Sequence, residues 1–191
     1  MQTSWVVLGA IVVAAFWYLG DRRSASASGL PTIAFNETPH PAWRALNDDV
    51  MGGVSEGRIG WETDGMRWTG HTRLENNGGF SSIRGPWEAQ NLGSMQYAIV
   101  RCKGTGGPFK LVFERSQRWW MPYIYAEFSP EPEWSDVKIS VDQFKWSQAF
   151  TGDVPLGSVT AGMEDVLRIG MMKYDGTAQP FDLEVASIRF E

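Results

Sequence analysis

Ser55 is the first residue that could carry chemistry, because it lies at the centre of the run Gly53-Val54-Ser55-Glu56-Gly57. That run matches the G-x-S-x-G pattern, in which a serine on a strand-to-helix turn attacks an acyl carbon with the help of a histidine. Here a strand-like segment follows the serine. The two histidines are His40, which lies between prolines, and His71, on a predicted strand. This context favours a Ser55 hydroxyl that caps a turn, and we predict no catalytic residue.

Carboxylates are the second candidate, since Asp48, Asp49 and Glu56 supply oxygen atoms of the kind that calcium binds. Their spacing is not that of an EF-hand, so the pattern favours hydrogen-bonded turns, with a structural calcium ion as the alternative. Two distant histidines and a single cysteine, Cys102, do not form a zinc site. We therefore predict no metal and no cofactor, and we interpret Cys102 as a half-buried strand residue.

Two polar, glycine-rich segments dominate the sequence. The first runs from Asn47 to Gly57 and contains three glycines, and the second is Glu75-Asn76-Asn77-Gly78-Gly79-Phe80. Glycine permits positive φ and close approach of another chain, while Asp and Asn cap turns through their side chains. Because ordering such loops costs conformational entropy, we predict a surface that recognises another macromolecule.

The candidate partner-binding residues are those of both segments, a following arginine and a tryptophan pair: Asn47, Asp48, Asp49, Met51, Gly52, Gly53, Ser55, Asn76, Asn77, Gly78, Gly79, Phe80, Arg84, Trp119 and Trp120. Arg84 is expected to reach either the Asp48-Asp49 loop, as an internal clamp, or a carboxylate of the partner. Trp119 and Trp120 are adjacent, and neighbours on a strand face opposite sides. One of them must therefore leave the core, as a rim residue under a loop or as an exposed anchor for a partner.

Apolar residues recur with a period of two in the second half of the chain, which is typical of half-buried strands. Val137, Ile139 and Val141 alternate with polar residues, and the phase of the last strand shifts at Ala186, which predicts a bulge. A helical turn is expected at Asp142–Trp146. Further strands are predicted at Arg58–Glu62, Met66–Leu74, Phe80–Arg84, Tyr97–Lys103, Tyr123–Phe128 and Leu167–Tyr174. Short strands separated by Gly, Pro, Asp or Asn predict an all-β sandwich.

The amino-terminal segment is predicted to be a transmembrane anchor at residues 1–23, with membrane contact through residues 4–20. Trp5 to Leu19 is almost wholly apolar, and twenty helical residues rise about 30 Å, the thickness of a hydrocarbon core. The pair Arg22-Arg23 after the apolar run places the domain on the cytoplasmic side of an inner membrane. A cleaved export signal ending near Ala25-Ser26-Ala27 is the alternative. Residues 24–41 are predicted to form a linker, and residues 42–191 the domain.

The two polar segments also carry a resemblance to a known family. Trp43, the run Asn47–Ser55, Trp68-Thr69-Gly70 and the run Leu74–Arg84 together resemble the complex I intermediate-associated protein 30 family. The resemblance spans Trp43 to Phe190. It implies a galactose-binding-like β-sandwich of the jelly-roll type and a role in assembling respiratory complex I, without known catalytic residues.

The composition narrows the possible partners. The net charge is −5 and charged residues make up 20% of the chain. Nucleic-acid-binding domains are usually basic, so this composition does not favour a nucleic-acid partner. We expect neither nucleic acid nor a small-molecule ligand. The favoured hypothesis is a non-enzymatic, membrane-tethered assembly factor that binds protein subunits of an NADH dehydrogenase-type complex. The alternative is a carbohydrate-binding module of galactose-binding-like fold, and an enzyme would depend on the Ser55 motif alone.

Overall fold

The computed structural model describes residues 29–35, 42–149 and 151–191. Within them, thirteen strands and one short helix are found, with bounds as follows: β1 Thr32–Ala34, β2 Arg44–Asn47, β3 Glu56–Glu62, β4 Gly65–His71, β5 Ser81–Arg84, β6 Tyr97–Thr105, β7 Phe109–Glu114, β8 Tyr123–Phe128, β9 Ser135–Ser140, β10 Lys145–Gln148, β11 Gly152–Asp153, α1 Val159–Met163, β12 Arg168–Lys173 and β13 Pro180–Phe190. Three 3-10 turns lie between them: Asp48–Met51, Glu75–Asn77 and Val141–Gln143.

The strands form a sandwich of two antiparallel sheets, as the sequence predicts. The first sheet has the order β3-β4-β13-β6-β9, with β1 also paired to β13. The second has the order β11-β10-β8-β7-β12-β5-β2. Neighbours in each sheet are mostly distant in sequence, so each face collects residues from several parts of the chain. The two glycine-rich segments flank β5, near one edge of the second sheet.

The predicted strand pattern is confirmed in most places, including the bulge. The register of β13 against β6 shifts between Val185 and Ser187, which leaves Ala186 as the extra residue. The predicted strand Met66–Leu74 ends earlier, at His71, because the Thr72 hydroxyl bonds the carbonyl of Thr177 at 2.8 Å and the chain leaves the sheet there. The helical turn expected at Asp142–Trp146 lies at Val141–Gln143 instead, and Lys145 begins a strand.

Aromatic side chains fill the space between the sheets. Trp68 is fully buried, with its ring centroid 5.6 Å from that of Phe109 and 4.9 Å from that of Phe181. Each such ring removes about 150–250 Å² from water, so this cluster contributes a large part of the core energy. Cys102 is also fully buried, not half-buried as predicted, and burial raises the pKa of its thiol to about 12. A thiol in that state is not a reactive nucleophile.

Part of the predicted linker 24–41 belongs to the sandwich. Thr32–Ala34 pairs antiparallel with β13, and Phe35 is buried with its ring centroid 5.0 Å from that of Trp43. An alternating apolar pair, Ile33 and Phe35, was the signal for this strand. The predicted anchor at residues 1–23 lies outside the described residues. Among the residues that are described, no helix has the length and apolar character needed to cross a bilayer.

Candidate functional site

Asp48 joins the two glycine-rich segments through its buried carboxylate. Its side chain accepts the Ser55 N–H at 2.8 Å and the Ser55 hydroxyl at 2.6 Å. It also accepts the N–H groups of Gly79 at 2.6 Å and Phe80 at 3.2 Å. Four donors, two from each segment, therefore converge on one carboxylate that has no exposed surface. We call this arrangement the Asp48 cluster.

The donors of the Asp48 cluster keep its carboxylate ionised. Burial by itself raises the pKa of Asp48. The hydrogen bonds from the Ser55 hydroxyl and from the N–H groups of Gly79, Ser55 and Phe80 lower it by more than burial raises it, so the net pKa is below the ordinary value. A carboxylate that accepts several backbone N–H groups favours its charged form. The cluster is therefore an internal tie between two loops.

Glycine is required beside this carboxylate at two positions. A Cβ added to Gly53 would lie 2.3 Å from Asp48 Cγ, and one added to Gly78 would lie 2.5 Å from Asp48 Oδ2. Asn76 and Asn77 both take left-handed backbone conformations, with φ of 58° and 57°. Asn tolerates that region better than other residues with a side chain. The Asn-Asn-Gly-Gly order thus follows from the path that the loop takes around Asp48.

Further hydrogen bonds connect the Asp48 cluster to the core. The Ser81 hydroxyl donates to Asn47 Oδ1 at 2.7 Å and accepts the Trp68 indole N–H at 3.3 Å. Asn47 Nδ2 donates to the carbonyl of Gly57 at 3.2 Å, and Asn76 Nδ2 donates to the carbonyl of Gly52 at 2.9 Å. The loops are thereby held at fixed positions on the sandwich.

The geometry does not present Ser55 as a nucleophile or bring Asp48 and Asp49 together as metal ligands. The Ser55 hydroxyl is buried and bonded to Asp48, and it accepts the Arg73 N–H at 2.9 Å, so it caps the turn as predicted. Asp49 is exposed and does not join Asp48 in the cluster. The described residues contain no group of three or more His, Cys, Asp or Glu side chains arranged to hold a metal ion.

The predicted clamp between Arg84 and the Asp48-Asp49 loop is wrong. Arg84 Nη1 lies 3.6 Å from Glu114 Oε1, and Arg84 Nε donates to the Ser82 hydroxyl at 3.4 Å. The reason is strand alternation. Arg84 points away from the core on the outer face of β5, whereas Asp48 is already saturated by its own loop donors.

Arg84 forms part of a cleft on the outer face of the second sheet. The cleft encloses about 160 Å³. Its floor comes from β5, β7, β8 and β12, and its rim from the two glycine-rich segments and the β7–β8 loop. We call it the aromatic cleft, and its lining residues are Met51, Asn77, Gly78, Phe80, Arg84, Val112, Glu114, Trp119, Tyr123, Ala149, Met172 and Tyr174.

The floor of the aromatic cleft carries the Arg84 guanidinium and the Glu114 carboxylate, and Arg168 lies beside the floor in contact with Glu114. Arg168 Nε is in direct contact with Glu114 Oε2, and the Arg168 guanidinium lies 3.7 Å from the centre of the Trp87 ring. Burial and the nearby Arg168 lower the pKa of Arg84, with burial the larger cause, and the nearby Glu114 raises it. The net pKa is below its ordinary value. Arg84, Arg168 and Glu114 together carry a formal charge of +1, although the chain as a whole is acidic.

Tyrosines continue the floor beyond the cavity. The ring centroids of Tyr123 and Tyr125 are 6.2 Å apart, and the Tyr125 hydroxyl donates to Asp153 at 2.7 Å. Lys110 Nζ lies 4.5 Å from the centre of the Tyr125 ring and 5.3 Å from that of Tyr174. Burial raises the pKa of Tyr123 and of Tyr125, so both hydroxyls stay protonated and remain donors.

The rim of the aromatic cleft exposes large apolar side chains to solvent. Trp119 is 59% exposed and Met51 is 48% exposed, and Trp120, next to the rim in sequence, is 50% exposed. The tryptophan pair lies in the β7–β8 loop and not on a strand, so strand alternation does not apply and both side chains leave the core. The two rings contact each other edge to face, with centroids 5.8 Å apart. Exposed apolar groups gathered around a cavity mark interaction sites more often than single ones do.

The candidate residues thus divide into an internal and an outward group. Asn47, Asp48, Gly53, Ser55, Gly78 and Gly79 build the Asp48 cluster or lie directly beside it, and Gly52 supplies a positive φ of 86° at the turn. The outward group is Met51, Asn77, Phe80, Arg84 and Trp119, which line the aromatic cleft. Gly78 belongs to both, since it also lines the cleft.

Several cleft residues were not predicted from the sequence. Glu114, Tyr123, Met172 and Tyr174 come from three strands and one loop whose adjacency depends on the sheet order, and Arg168, beside the cleft, is on one of those strands. Their only signal in the sequence is a position on the outward side of an alternating strand or just after its end. That signal identifies a solvent-facing side but does not tell which strands lie together.

Another hollow, of about 590 Å³, lies on the first sheet between β3, β4 and β13. It is open and lined largely by glycines and polar or charged side chains, including Arg58, His71 and Asp182. Asp182 is already paired with Arg67. This hollow lacks the exposed aromatic rim of the cleft, so the aromatic cleft is the better candidate for recognition.

The chain is similar to known proteins in its sequence pattern and in its fold. The family model of Complex I intermediate-associated protein 30 matches residues 33–185, well over half of the chain. The matched range contains both glycine-rich segments and every residue that lines the aromatic cleft. No curated protein is similar enough in sequence to count as a relative.

Two solved structures from Clostridium thermocellum have a similar fold. The family 11 carbohydrate-binding module of the cellulosomal cellulase Lic26A-Cel5E has a TM-score of 0.61 and 11% identity, covering 86% of this chain and 97% of that one. The family 11 module in complex with a β-1,3-1,4-mixed-linked tetrasaccharide has a TM-score of 0.58 and 13% identity, with the same coverage. At these identities the similarity shows a shared fold alone.

Proposed function

This chain belongs to the Complex I intermediate-associated protein 30 family, and from that premise we propose that it is a non-enzymatic assembly factor. In this proposal it binds a protein subunit of a respiratory, NADH dehydrogenase-type membrane complex while that complex matures. The observation that carries the proposal is the aromatic cleft, where rigid loops surround a cavity with exposed tryptophan and methionine side chains.

The composition of the rim supports a protein partner. Trp, Tyr, Met and Arg are enriched in protein interfaces, and Trp, Tyr and Arg supply most binding hot spots. Trp119, Met51 and Tyr174 lie around the cleft, and Arg84 lies on its floor. Because the Asp48 cluster fixes the loops, little loop entropy is lost when a partner binds, which favours affinity.

The absence of catalysis in the proposal is supported by the state of Ser55. Its hydroxyl is buried and engaged with Asp48 and Arg73, so it is not presented to a substrate. A Ser55→Ala variant should therefore be less stable than the wild type, and there should be no hydrolase activity for the substitution to remove. Ester or peptide hydrolysis by the purified protein that disappears in this variant, at unchanged fold, would contradict this part of the proposal.

A membrane tether is the second part of the proposal. The apolar run Trp5–Leu19 and the following Arg22-Arg23 support a single span with the domain on the cytoplasmic side. Tethering raises the effective concentration of the domain near membrane subunits, so modest affinity suffices. Alkaline carbonate extraction and protease accessibility of membrane vesicles test it. In intact right-side-out vesicles, a domain on the cytoplasmic side is protected from added protease. Release by carbonate, or digestion of the domain in such vesicles, would favour the exported form.

Deletion of the gene in its host tests the assembly role. We expect a reduced abundance of the mature NADH dehydrogenase-type complex on native gels, restored by the wild-type gene. A Trp119→Ala/Trp120→Ala double variant should fail to restore it, while Tyr97→Ala, which removes an exposed aromatic ring from the first sheet, should succeed. Normal abundance of every respiratory complex after deletion would contradict the proposal.

A carbohydrate-binding module is the second candidate function. It is favoured by the aromatic lining of the cleft and by the fold shared with carbohydrate-binding modules. Against it, the cavity of about 160 Å³ is smaller than the roughly 300–1,000 Å³ of most small-molecule sites. Calorimetric titration with a panel of β-glucan and galactose-containing oligosaccharides distinguishes the two, since saturable heats that Trp119→Ala abolishes would favour the carbohydrate function.

A further inference from the structure

The charges of Arg84, Glu114 and Arg168, at and beside the floor of the aromatic cleft, do not balance. Glu114 is shared by Arg168, which contacts it directly, and by Arg84, whose Nη1 is 3.6 Å away. The Arg84 side chain is only 23% exposed. One carboxylate thus serves two guanidinium groups in a half-buried setting, and Arg168 takes the closer position.

Arg84 has donors that the described residues do not use. A guanidinium group carries five N–H donors. The contacts of Arg84 within the described part of the chain are the Ser82 hydroxyl at 3.4 Å and Glu114 at 3.6 Å, both long. No Arg84 nitrogen is among the buried side-chain atoms of the described residues that lack a hydrogen-bond partner, so its spare donors remain open to solvent. They are therefore available to an acceptor that a ligand brings.

A related charge group on the first sheet differs in its balance and its exposure. Asp136 is paired with both Arg101 and Arg189, but Arg189 also lies 4.0 Å from Glu191, and the side chains of Arg101, Arg189 and Asp136 are 37–43% exposed. Water screens the charges at that surface. The Arg84 side chain is less exposed, at 23%, so its charge is screened less, and a second carboxylate is the group that fits a guanidinium fork best.

The cavity beside Arg84 has room for one side chain. Its volume of about 160 Å³ is close to that of an engineered cavity of ~150 Å³ that takes up benzene. Its walls are Met51, Trp119 and Tyr174, which suit an apolar group. In an extended peptide, residues two apart project from the same side and lie about 6.5–7 Å apart. A carboxylate and an apolar side chain at such spacing would enter the cleft together.

We propose that the aromatic cleft binds an extended peptide segment of the partner that carries an Asp or Glu side chain on Arg84 and an apolar side chain, two residues away, in the adjoining cavity. The inference rests on the proposed function only in taking the partner to be a protein. Glu114 and Arg168 act here as positioning residues, because they fix the place and charge of the Arg84 guanidinium.

Selection from a random 12-residue peptide display library against the full chain tests the inference without any respiratory subunit. Enriched peptides should contain an acidic residue with an apolar residue two positions away. Enrichment should be lost on Arg84→Met and retained on Tyr97→Ala. Absence of enriched peptides, or enriched peptides without an acidic residue, would overturn the inference.

Matched measurements on one enriched peptide make the result specific. Replacing its Glu with Gln, or its Asp with Asn, should weaken binding about tenfold or more, the expectation for a charge-assisted hydrogen bond. The same replacement should have no further effect on Arg84→Met. Arg84→Lys should keep part of the affinity for the acidic peptide. If Arg84→Met folds poorly, the comparison of acidic and neutral peptides on the wild type and on Arg84→Lys replaces it. Equal affinity for the acidic and neutral peptides would overturn the inference.

Lipid is the competing ligand for the exposed tryptophans, so vesicles form a separate arm. Flotation is measured with phosphatidylcholine vesicles, with and without phosphatidylserine. A chain lacking residues 1–28 should show no vesicle binding that depends on Trp119 and Trp120. With the full chain, the vesicles should not compete with the peptide. Vesicle binding that displaces the peptide would overturn the inference. A peptide that binds as described while gene deletion leaves respiratory complexes intact would retain this inference and reject the assembly role.

Discussion

The Asp48 cluster and the aromatic cleft treat charge in opposite ways, although the same two glycine-rich segments contribute to both. Asp48 is a fully buried carboxylate with four hydrogen-bond donors around it. Arg84 is a largely buried cation with two long contacts in the described part of the chain. The first arrangement is complete within the fold, whereas the second has capacity left for a ligand.

This difference separates residues that hold the loops from residues that face outward. A complete internal cluster stabilises the fold, and its removal leaves several N–H groups without an acceptor. An incomplete charge pair contributes little net stability, because the cost of desolvation offsets the attraction. The family's most recognisable residues, around Asp48, therefore belong mainly to the scaffold. The proposed recognition depends on residues that the sequence marks less clearly.

The largest expected effect is that of Asp48→Asn. The substitution places an NH₂ group or a neutral oxygen against the N–H groups of Gly79 and Phe80 and removes the charge. We expect a loss of about 3–5 kcal/mol in the free energy of unfolding, measured by urea denaturation. Asp49→Asn, the neighbouring exposed carboxylate, should change it by less than about 0.5 kcal/mol. Equal effects of the two substitutions would contradict the account of the cluster.

Gly78→Ala and Gly53→Ala come next in expected size. Each added methyl group would press on the Asp48 side chain, at 2.5 Å from Oδ2 and 2.3 Å from Cγ respectively. Overpacking of this kind costs about 1–3 kcal/mol, visible as a lower thermal unfolding midpoint. Gly60→Ala is the matched control, since the nearest atom to its Cβ is 4.0 Å away. A Gly60→Ala midpoint as low as those of the two variants would remove the steric explanation.

Acid should weaken the fold through Asp48. Its folded-state pKa is lowered, so its contribution to stability is complete above the unfolded value of about 3.9 and is lost as the pH falls through the folded value. The unfolding free energy of the wild type should therefore decrease below about pH 4. Asp48→Asn should show a shallower decrease over the same range, with Asp175, whose pKa is also lowered, accounting for part of the remainder. Identical pH slopes in both proteins would show that Asp48 is not the titrating group.

The smallest expected effect on stability is that of Arg84→Met. Methionine keeps the length of the side chain and removes a cation whose pairing is incomplete, so the unfolding free energy should change by less than about 1 kcal/mol in either direction. Thermal and urea unfolding check this value. A loss as large as that of Asp48→Asn would show that Arg84 belongs to the scaffold and would weaken the proposed role of the cleft.

Local sequence patterns were sufficient for the strands and for the family, and insufficient for the cleft. Alternation predicted β8 at Tyr123–Phe128 and the bulge at Ala186, because both depend on residues close in the chain. The membership in the Complex I intermediate-associated protein 30 family is confirmed over residues 33–185. The strands and the bulge depend on neighbouring residues, and the family is marked by motifs that are each contiguous in the chain.

The cleft required information that no short window contains. Arg84 and Glu114 meet because β12 lies between β5 and β7 in the second sheet. Nothing in either strand specifies that order, so the sequence suggested Asp48 or Asp49 as the partner of Arg84. Strand alternation is a wrong guide to Trp119 and Trp120, because the β7–β8 loop has no Gly or Pro before Pro122 to mark its start. The predicted membrane anchor at residues 1–23 remains a prediction.

Photocrosslinking in native membranes tests most directly whether the aromatic cleft is where the partner binds. A photoreactive benzoylphenylalanine in place of Trp119 should form an adduct with an identified subunit of an NADH dehydrogenase-type complex. The same group in place of Tyr97, on the first sheet, should form none with that subunit. Adducts of equal yield from both positions, or no respiratory subunit attached at position 119, would contradict the account.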